Sequence, residues 1–114
     1  MSSKGVTRET NKTTGHGPYQ PRATKGPGLG CSTTVFADSL GVNRVGDQWN
    51  AHGAGPRYPG DPHPGDSSND NKTITGSSTV FADSKAVARI GDQVDNTIGG
   101  DTIAGGSATV FAGD

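Results

Sequence analysis

One segment of the sequence occurs in two nearly identical copies and in a third, partial copy. It reads TVFADSLGVNRVGDQW from Thr34, TVFADSKAVARIGDQV from Thr79 and TVFAGD from Thr109. The first valine of each copy is Val35, Val80 or Val110. The first two of these lie 80 − 35 = 45 positions apart, and the last two lie 110 − 80 = 30 positions apart. We therefore expect one structural unit to be repeated, with connections of unequal length between the copies.

The composition leaves little material for an apolar core. Only 28% of the 114 residues are hydrophobic, whereas glycine and proline together number 19 + 7 = 26. Such a chain buries too little apolar surface to offset the conformational entropy that is lost on folding. A bound metal ion, a protein partner or both are therefore expected to stabilise the fold.

Each full copy of the repeat has the pattern of a β-hairpin. In the first copy, residues 31–38 predict a strand, the four residues from Asp38 a turn, and residues 42–45 the returning strand. The second copy predicts a hairpin over 78–90, and the last copy, 107–112, predicts a single edge strand. No segment has helical periodicity, so we predict an all-β fold in which three similar sheets form a small cone or prism around one axis.

Other features of the chain limit its organisation and partners. Residues 1–13 lack a periodic pattern and are expected to be a flexible lead-in, with the folded domain at 14–114. The net charge of −1 and the scattered lysines and arginines argue against nucleic-acid binding. No apolar run approaches the length of a signal peptide, so the protein, if it leaves the cell, is expected to do so by a route without a classical secretion signal or as part of an assembly.

All three histidines lie in the connections between repeats. His16 precedes the first hairpin, while His52 and His63 lie between the first and the second. If the connections share one end of the prism, the three imidazoles converge there and form a zinc site with one further ligand. Spacing alone also fits three solvated loop histidines.

The fourth ligand of such a site stays open. The chemistry favours Cys31, but its repeat position is that of Gly76 and Gly106, where a small buried side chain is the preferred interpretation. By position the third connection should supply the ligand, and it offers Asp95 and Asn96, with water as another candidate.

An enzyme is the less favoured interpretation. Asp47 and Asp92 are the candidate catalytic carboxylates, but each ends a repeated Gly-Asp pair and is expected to cap a turn. We predict no catalytic residues, and keep a small zinc hydrolase or a metal-binding module as the alternative function. Phe36, Phe81 and Phe111 recur with the repeat, so we expect them to pack in the core or on the base face, one per sheet, although an exposed ring of three would also form a docking patch for a trimeric partner.

The combination of these motifs resembles the PAAR (Pro-Ala-Ala-Arg) repeat family. The segment GSSTVFADSKAVARIGD at 76–92 resembles its repeat, and TGHG at 14–17, GDQWNAHG at 46–53 and PHPG at 62–65 resemble its histidine-bearing connections. The signature itself reads AVAR at 86–89 and GVNR at 41–44, so the name-giving proline is absent from both copies.

The resemblance implies both a metal site and a mechanical function. It implies a cone with zinc, or iron as an alternative, near its vertex, bound by His16, His52 and His63 and by a cysteine where this chain has Asn96. It implies a spike tip of a phage tail or a type VI secretion system, which docks as a monomer on a trimeric β-helical spike and transiently contacts the target envelope. The opening motif and the small size favour the phage-tail group, and hence a location on the tail or baseplate spike, with no toxin domain expected after Asp114.

Overall fold

The computed structural model of the chain describes residues 3–15, 21–50, 72–94 and 101–113. Within these ranges the protein is all-β and contains no helix, and each regular strand is two residues long. The strands are β1 Lys4–Gly5, β2 Phe36–Ala37, β3 Leu40–Gly41, β4 Phe81–Ala82, β5 Lys85–Ala86, β6 Gln93–Val94, β7 Asp101–Thr102 and β8 Phe111–Ala112. The described ranges accordingly hold no helix of the length and apolarity that a membrane crossing needs.

The two predicted hairpins are confirmed by the pairing of β2 with β3 and of β4 with β5. The first hairpin turns through Asp38 and Ser39, whose φ angles of 53° and 68° are both positive. The second turns through Asp83 and Ser84, with φ angles of 54° and 67°. Positive φ at both central residues defines a type I′ turn, whose twist matches that of the flanking strands.

The two ends of the chain pair with each other and form a third unit that is equivalent to the two hairpins. β1 pairs with β8 in antiparallel register, with Lys4 opposite Ala112 and Gly5 opposite Phe111. Residues 4–13, which the sequence analysis placed in a flexible lead-in, therefore supply the returning strand that the last repeat lacks. The last strand, expected to be an edge, accordingly has a partner.

The hairpin ladders are shorter than the sequence pattern predicts because a serine side chain turns the chain before each of them. The Ser32 hydroxyl accepts hydrogen bonds from the backbone N–H groups of Thr34 and Val35, at 3.0 and 2.9 Å. Ser77 and Ser107 accept the equivalent pairs of bonds. A side chain that satisfies these N–H groups replaces the ladder locally, which accounts for the repeated Ser-x-Thr-Val sequence.

Three returning strands close into a ring around the common axis. The N–H of Thr7 donates to the carbonyl of Ala88, that of Ala88 to Asn43, and that of Asn43 to Thr7, each at 2.9 Å. Isolated bridges extend this ring on either side and pair Val6 with Arg89, Arg8 with Val42, and Arg44 with Val87. Each of the two hairpins is one unit, and the paired chain ends are the third. Because every unit pairs with both of the others, the ring leaves none of these strands with an open edge.

The apolar core consists of two small clusters. The first contains one valine and one alanine from each unit: Val6, Val42, Val87, Ala37, Ala82 and Ala112. The second contains Trp49, Ala88, Val94 and Ile103. A buried polar chain lies beside them, in which Trp49 Nε1 donates to Thr73 Oγ1 at 2.8 Å and Thr73 Oγ1 donates to Asn43 Oδ1 at 2.6 Å. The core is thin, as the composition predicts, and polar contacts complete it.

Candidate functional site

We call the end of the molecule that carries the hairpin turns the hairpin end. At this end, each junction between units consists of equivalent polar contacts. The Asp83 carboxylate accepts hydrogen bonds from the hydroxyls of Ser32 and Thr34, both at 2.6 Å, and from Nη1 of Arg44 at 2.7 Å. The equivalent contacts run from Thr109 and Arg8 to the Asp38 carboxylate, and from Ser77 and Arg89 to the Gly113 carbonyl.

The same arginines also bind the Gly-Asp turn of their own unit. Arg44 Nε and Nη2 donate to the two oxygens of Asp47 at 2.7 and 2.9 Å, and the Arg44 backbone N–H adds a bond of 2.8 Å. Arg89 makes the equivalent bonds to Asp92. These buried pairs confirm that Asp47 and Asp92 cap turns. The sequence analysis did not assign the arginines, although Arg-x-Gly-Asp occurs in both full copies.

The junction carboxyls are held in their ionised form. The pKa of Asp83 is lowered by hydrogen bonds from Ser32 and Thr34 and by the nearby Arg44 guanidinium. Hydrogen bonds from Ser107 and Thr109, together with the Arg8 guanidinium, lower the pKa of Asp38. All these donors favour the carboxylate over the neutral acid.

Apolar side chains are exposed at equivalent positions of the three hairpins. The side chains of Phe36, Phe81 and Phe111 are 57%, 58% and 55% exposed. Val35, Val80 and Val110 precede them and are also exposed. The expectation that the phenylalanines pack in the core of each sheet is therefore wrong. A repeated apolar set of this kind is typical of a surface that binds a partner.

The connections between units leave from the opposite end through three paired stems. Stem 1 contains residues 11–14 and 22–25, stem 2 contains 47–50 and 72–75, and stem 3 contains 92–94 and 101–104. The stems lie side by side: Thr13 pairs with Ile103, Trp49 with Thr24, and Val94 with Thr73. All three connections therefore leave from one end of the molecule, which we call the stem end.

The predicted metal ligands His16, His52 and His63, and the alternatives Asp95 and Asn96, lie outside the described residues. The stem register nevertheless relates two of them. Thr13, Trp49 and Val94 are equivalent in the three stems. The residues three positions after them are 13 + 3 = 16, 49 + 3 = 52 and 94 + 3 = 97, so these positions are equivalent as well. Two of these equivalent positions are histidines and the third is Thr97.

Cys31 belongs to the hairpin layer rather than to the stems. Its side chain is fully buried, and its Sγ lies next to Gly41 of the first hairpin. Burial raises the pKa of the thiol, and the carboxylates of Glu9 and Asp47 raise it further. Because a metal binds the thiolate, this environment favours the interpretation of Cys31 as a small buried side chain. In the described ranges no group of three or more His, Cys, Asp or Glu side chains is arranged to hold a metal.

A buried ion pair that the sequence analysis did not anticipate joins stems 1 and 3. Arg22 Nη2 lies 3.1 Å from Asp101 Oδ2, and neither side chain is exposed to solvent. Thr14 Oγ1 donates to the other carboxylate oxygen at 3.3 Å. The two residues are 79 positions apart in sequence, so no local pattern indicates the contact. The pair joins the two stems where the chain returns from the connection that contains His16 and from the third connection, 95–100.

Comparison with known proteins identifies the family. The search of curated proteins finds no match. The sequence model described as PAAR motif matches residues 20–97. This match covers more than half of the chain and includes both full copies of the repeat together with the long connection between them. The chain therefore belongs to the PAAR motif family.

Proposed function

We propose that this protein is the tip of a contractile injection spike. The hairpin end docks, as one copy, on the end of a trimeric β-helical spike, and the stem end forms the point that enters the target envelope. PAAR proteins are structural spike-tip modules rather than a family of enzymes, which supports this function over the hydrolase alternative. Within that class we favour a phage tail, on the motifs given above, and hence a location on the tail spike.

The observation that carries the proposal is the threefold repetition of the exposed phenylalanines. One chain presents Phe36, Phe81 and Phe111 at equivalent positions with nearly equal exposure. A symmetric trimer presents three identical surfaces around its axis, so a single copy of this chain matches it. Covering the exposed half of three phenylalanine side chains contributes about 3 kcal/mol, which corresponds to about a hundredfold in Kd.

We further propose that His16, His52 and His63 bind a zinc ion beyond the stems, with iron as the alternative metal. Two of the three histidines follow equivalent stem positions, and all three stems lie at one end. The metal would hold the connections together at the point, where the described residues provide only a thin core. Imidazole suits either metal.

The docking proposal is tested by mixing the protein with the trimeric spike protein of the same gene cluster and measuring mass and affinity. We expect a complex of one chain with one trimer, and a Kd at least about a hundredfold weaker when all three phenylalanines are changed to serine. Leu29→Ser is the matched control, because Leu29 is 56% exposed but is not repeated. Equal binding by the triple variant and the control would contradict the proposal.

A further inference from the structure

The centre of the hairpin end carries two lysines and one leucine at equivalent positions. Leu40 and Lys85 directly follow the turns of the two hairpins, and Lys4 is the equivalent residue of the third unit; they pair with Ala37, Ala82 and Ala112. Directly paired residues of antiparallel strands share one face of the sheet. Because the three alanines belong to the first core cluster, these three side chains border the open end of that cluster, next to the axis.

Among the described residues, no carboxylate pairs with either lysine. The repeated carboxylates of the hairpin turns, Asp38 and Asp83, both bind arginines of the junctions. Within the part of the chain that the structure describes, neither Lys4 nor Lys85 takes part in an ion pair. The middle of the hairpin end therefore carries two ammonium groups that pair with no carboxylate of the described ranges, beside an apolar side chain.

We infer, on the basis of the proposed docking, that the end of the partner trimer carries one carboxylate per subunit close to its axis. Two of these carboxylates pair with Lys4 and Lys85, and the third faces Leu40. A symmetric trimer must present the same group three times. An apolar group at that position would leave two ammonium groups desolvated without a partner, which is costly. A carboxylate instead pairs with both lysines and leaves one mismatch, at Leu40.

The mismatch at Leu40 provides a test that does not depend on knowing the partner's residues. Replacing Leu40 with lysine completes the threefold set of charges. If the trimer carries carboxylates, Leu40→Lys gains an ion pair and binds more tightly. If the trimer is apolar there, the same change places a third unpaired ammonium group in the interface and weakens binding.

The experiment measures the Kd for the C-terminal β-helical segment of the trimeric spike protein of the same gene cluster at 50 and 500 mM NaCl. At low salt we expect the Lys4→Gln/Lys85→Gln variant to bind at least about tenfold more weakly than the wild type, and Leu40→Lys to bind more tightly. Salt should weaken the wild type and leave the double variant nearly unaffected. Lys25→Gln is the control, because Lys25 lies in stem 1 and bonds Gln48 there.

Four results separate this inference from the docking proposal. The inferred carboxylates of the trimer are ruled out if the double variant binds as tightly as the wild type, or if Leu40→Lys binds more weakly at full thermal stability. In both cases the binding of the wild type leaves the docking proposal intact. Salt-independent binding of the wild type also rules out the inferred carboxylates, and this measurement needs no variant to fold. Failure of the wild type to bind the trimer at either salt concentration defeats the docking proposal itself.

Discussion

At the scale of single residues, one arginine per unit stabilises two interfaces at once. Arg44 binds Asp47 in its own turn and Asp83 in the next unit. The third unit keeps this geometry with different partners: Arg8 bonds Asn11 instead of an aspartate, at 3.1 Å. Removing Arg44 leaves the buried Asp47 carboxylate without its guanidinium partner and also breaks the contact with the next unit, which costs more than the loss of one surface ion pair.

The junction carboxyls predict how stability depends on pH. Their pKa values are lowered in the folded state from the ordinary value of 3.8, so they stabilise the protein above pH 4 and lose this contribution as the pH falls through the folded values. We expect the free energy of unfolding to be level between about pH 5 and 7 and to decrease below about pH 4. Urea unfolding at a series of pH values measures this.

The Asp38→Asn/Asp83→Asn variant tests the origin of that decrease. It should be less stable than the wild type at pH 7, because it loses the charged contacts to Arg8 and Arg44. Its stability should fall less steeply in acid, because two of the responsible groups no longer titrate. An acid decrease equal to that of the wild type would show that other groups cause it.

The roles of these residues could be predicted only in part. The repeated Gly-Asp pair indicates a turn, since Gly46 and Gly91 have φ angles of 93° and 92°, a conformation that glycine adopts without strain. The link from Arg44 to Asp83 joins residues 39 positions apart. Sequence spacing carries no information about such a contact, because the ring closure that creates it is a property of the whole fold.

At the scale of elements, the N-terminal strand closes the ring. Val6 belongs to the first core cluster with Val42 and Val87, and Thr7 supplies one of the three axial hydrogen bonds. The sequence around Val6 is polar, and a two-residue strand has no periodic pattern. The role of this strand in closing the ring could therefore not be predicted from the sequence. The internal hairpins were predictable, since each lies within one continuous repeat and has its own turn sequence.

Deletion of residues 1–13 should therefore abolish cooperative folding. The truncated variant lacks Val6, exposes the partner strand β8 and opens the ring of backbone hydrogen bonds, so it loses core packing and strand pairing together. Thermal unfolding followed by circular dichroism measures the effect. Deletion of residues 1–3, which ends just before β1, is the control and should unfold like the full chain. A cooperative transition of similar midpoint in the longer deletion would refute the structural role of this strand.

At the scale of the whole molecule, the two ends differ in how they are stabilised. The hairpin end is held by repeated hydrogen bonds between units and has exposed apolar side chains. The stem end has a small core around Trp49 and the buried Arg22–Asp101 pair. The positions of the stems at one end could be predicted from the repeat, whereas the ion pair depends on a register that only the folded chain defines.

The difference between the ends leads to a prediction about the metal. A metal that ties the connections together adds its binding free energy to the stability of the fold. We expect the purified protein to contain about one zinc or iron ion per chain by mass spectrometry. The His52→Ala variant should lose the metal and melt about 10 °C lower or more. His16→Ala should behave alike, because His16 and His52 follow equivalent stem positions.

Chelation separates a lost metal from a lost side chain. Treating the wild type with a chelator should lower its melting temperature to that of His52→Ala, whereas the variant itself should not respond, since it has no metal to lose. The histidine site would be ruled out if the purified wild type contained no metal, unfolded cooperatively and kept the same melting temperature after treatment with the chelator. The stem core and the Arg22–Asp101 pair would then have to hold the stem end together by packing and charge alone, and Arg22→Met, rather than His52→Ala, would be the substitution that lowers its stability most.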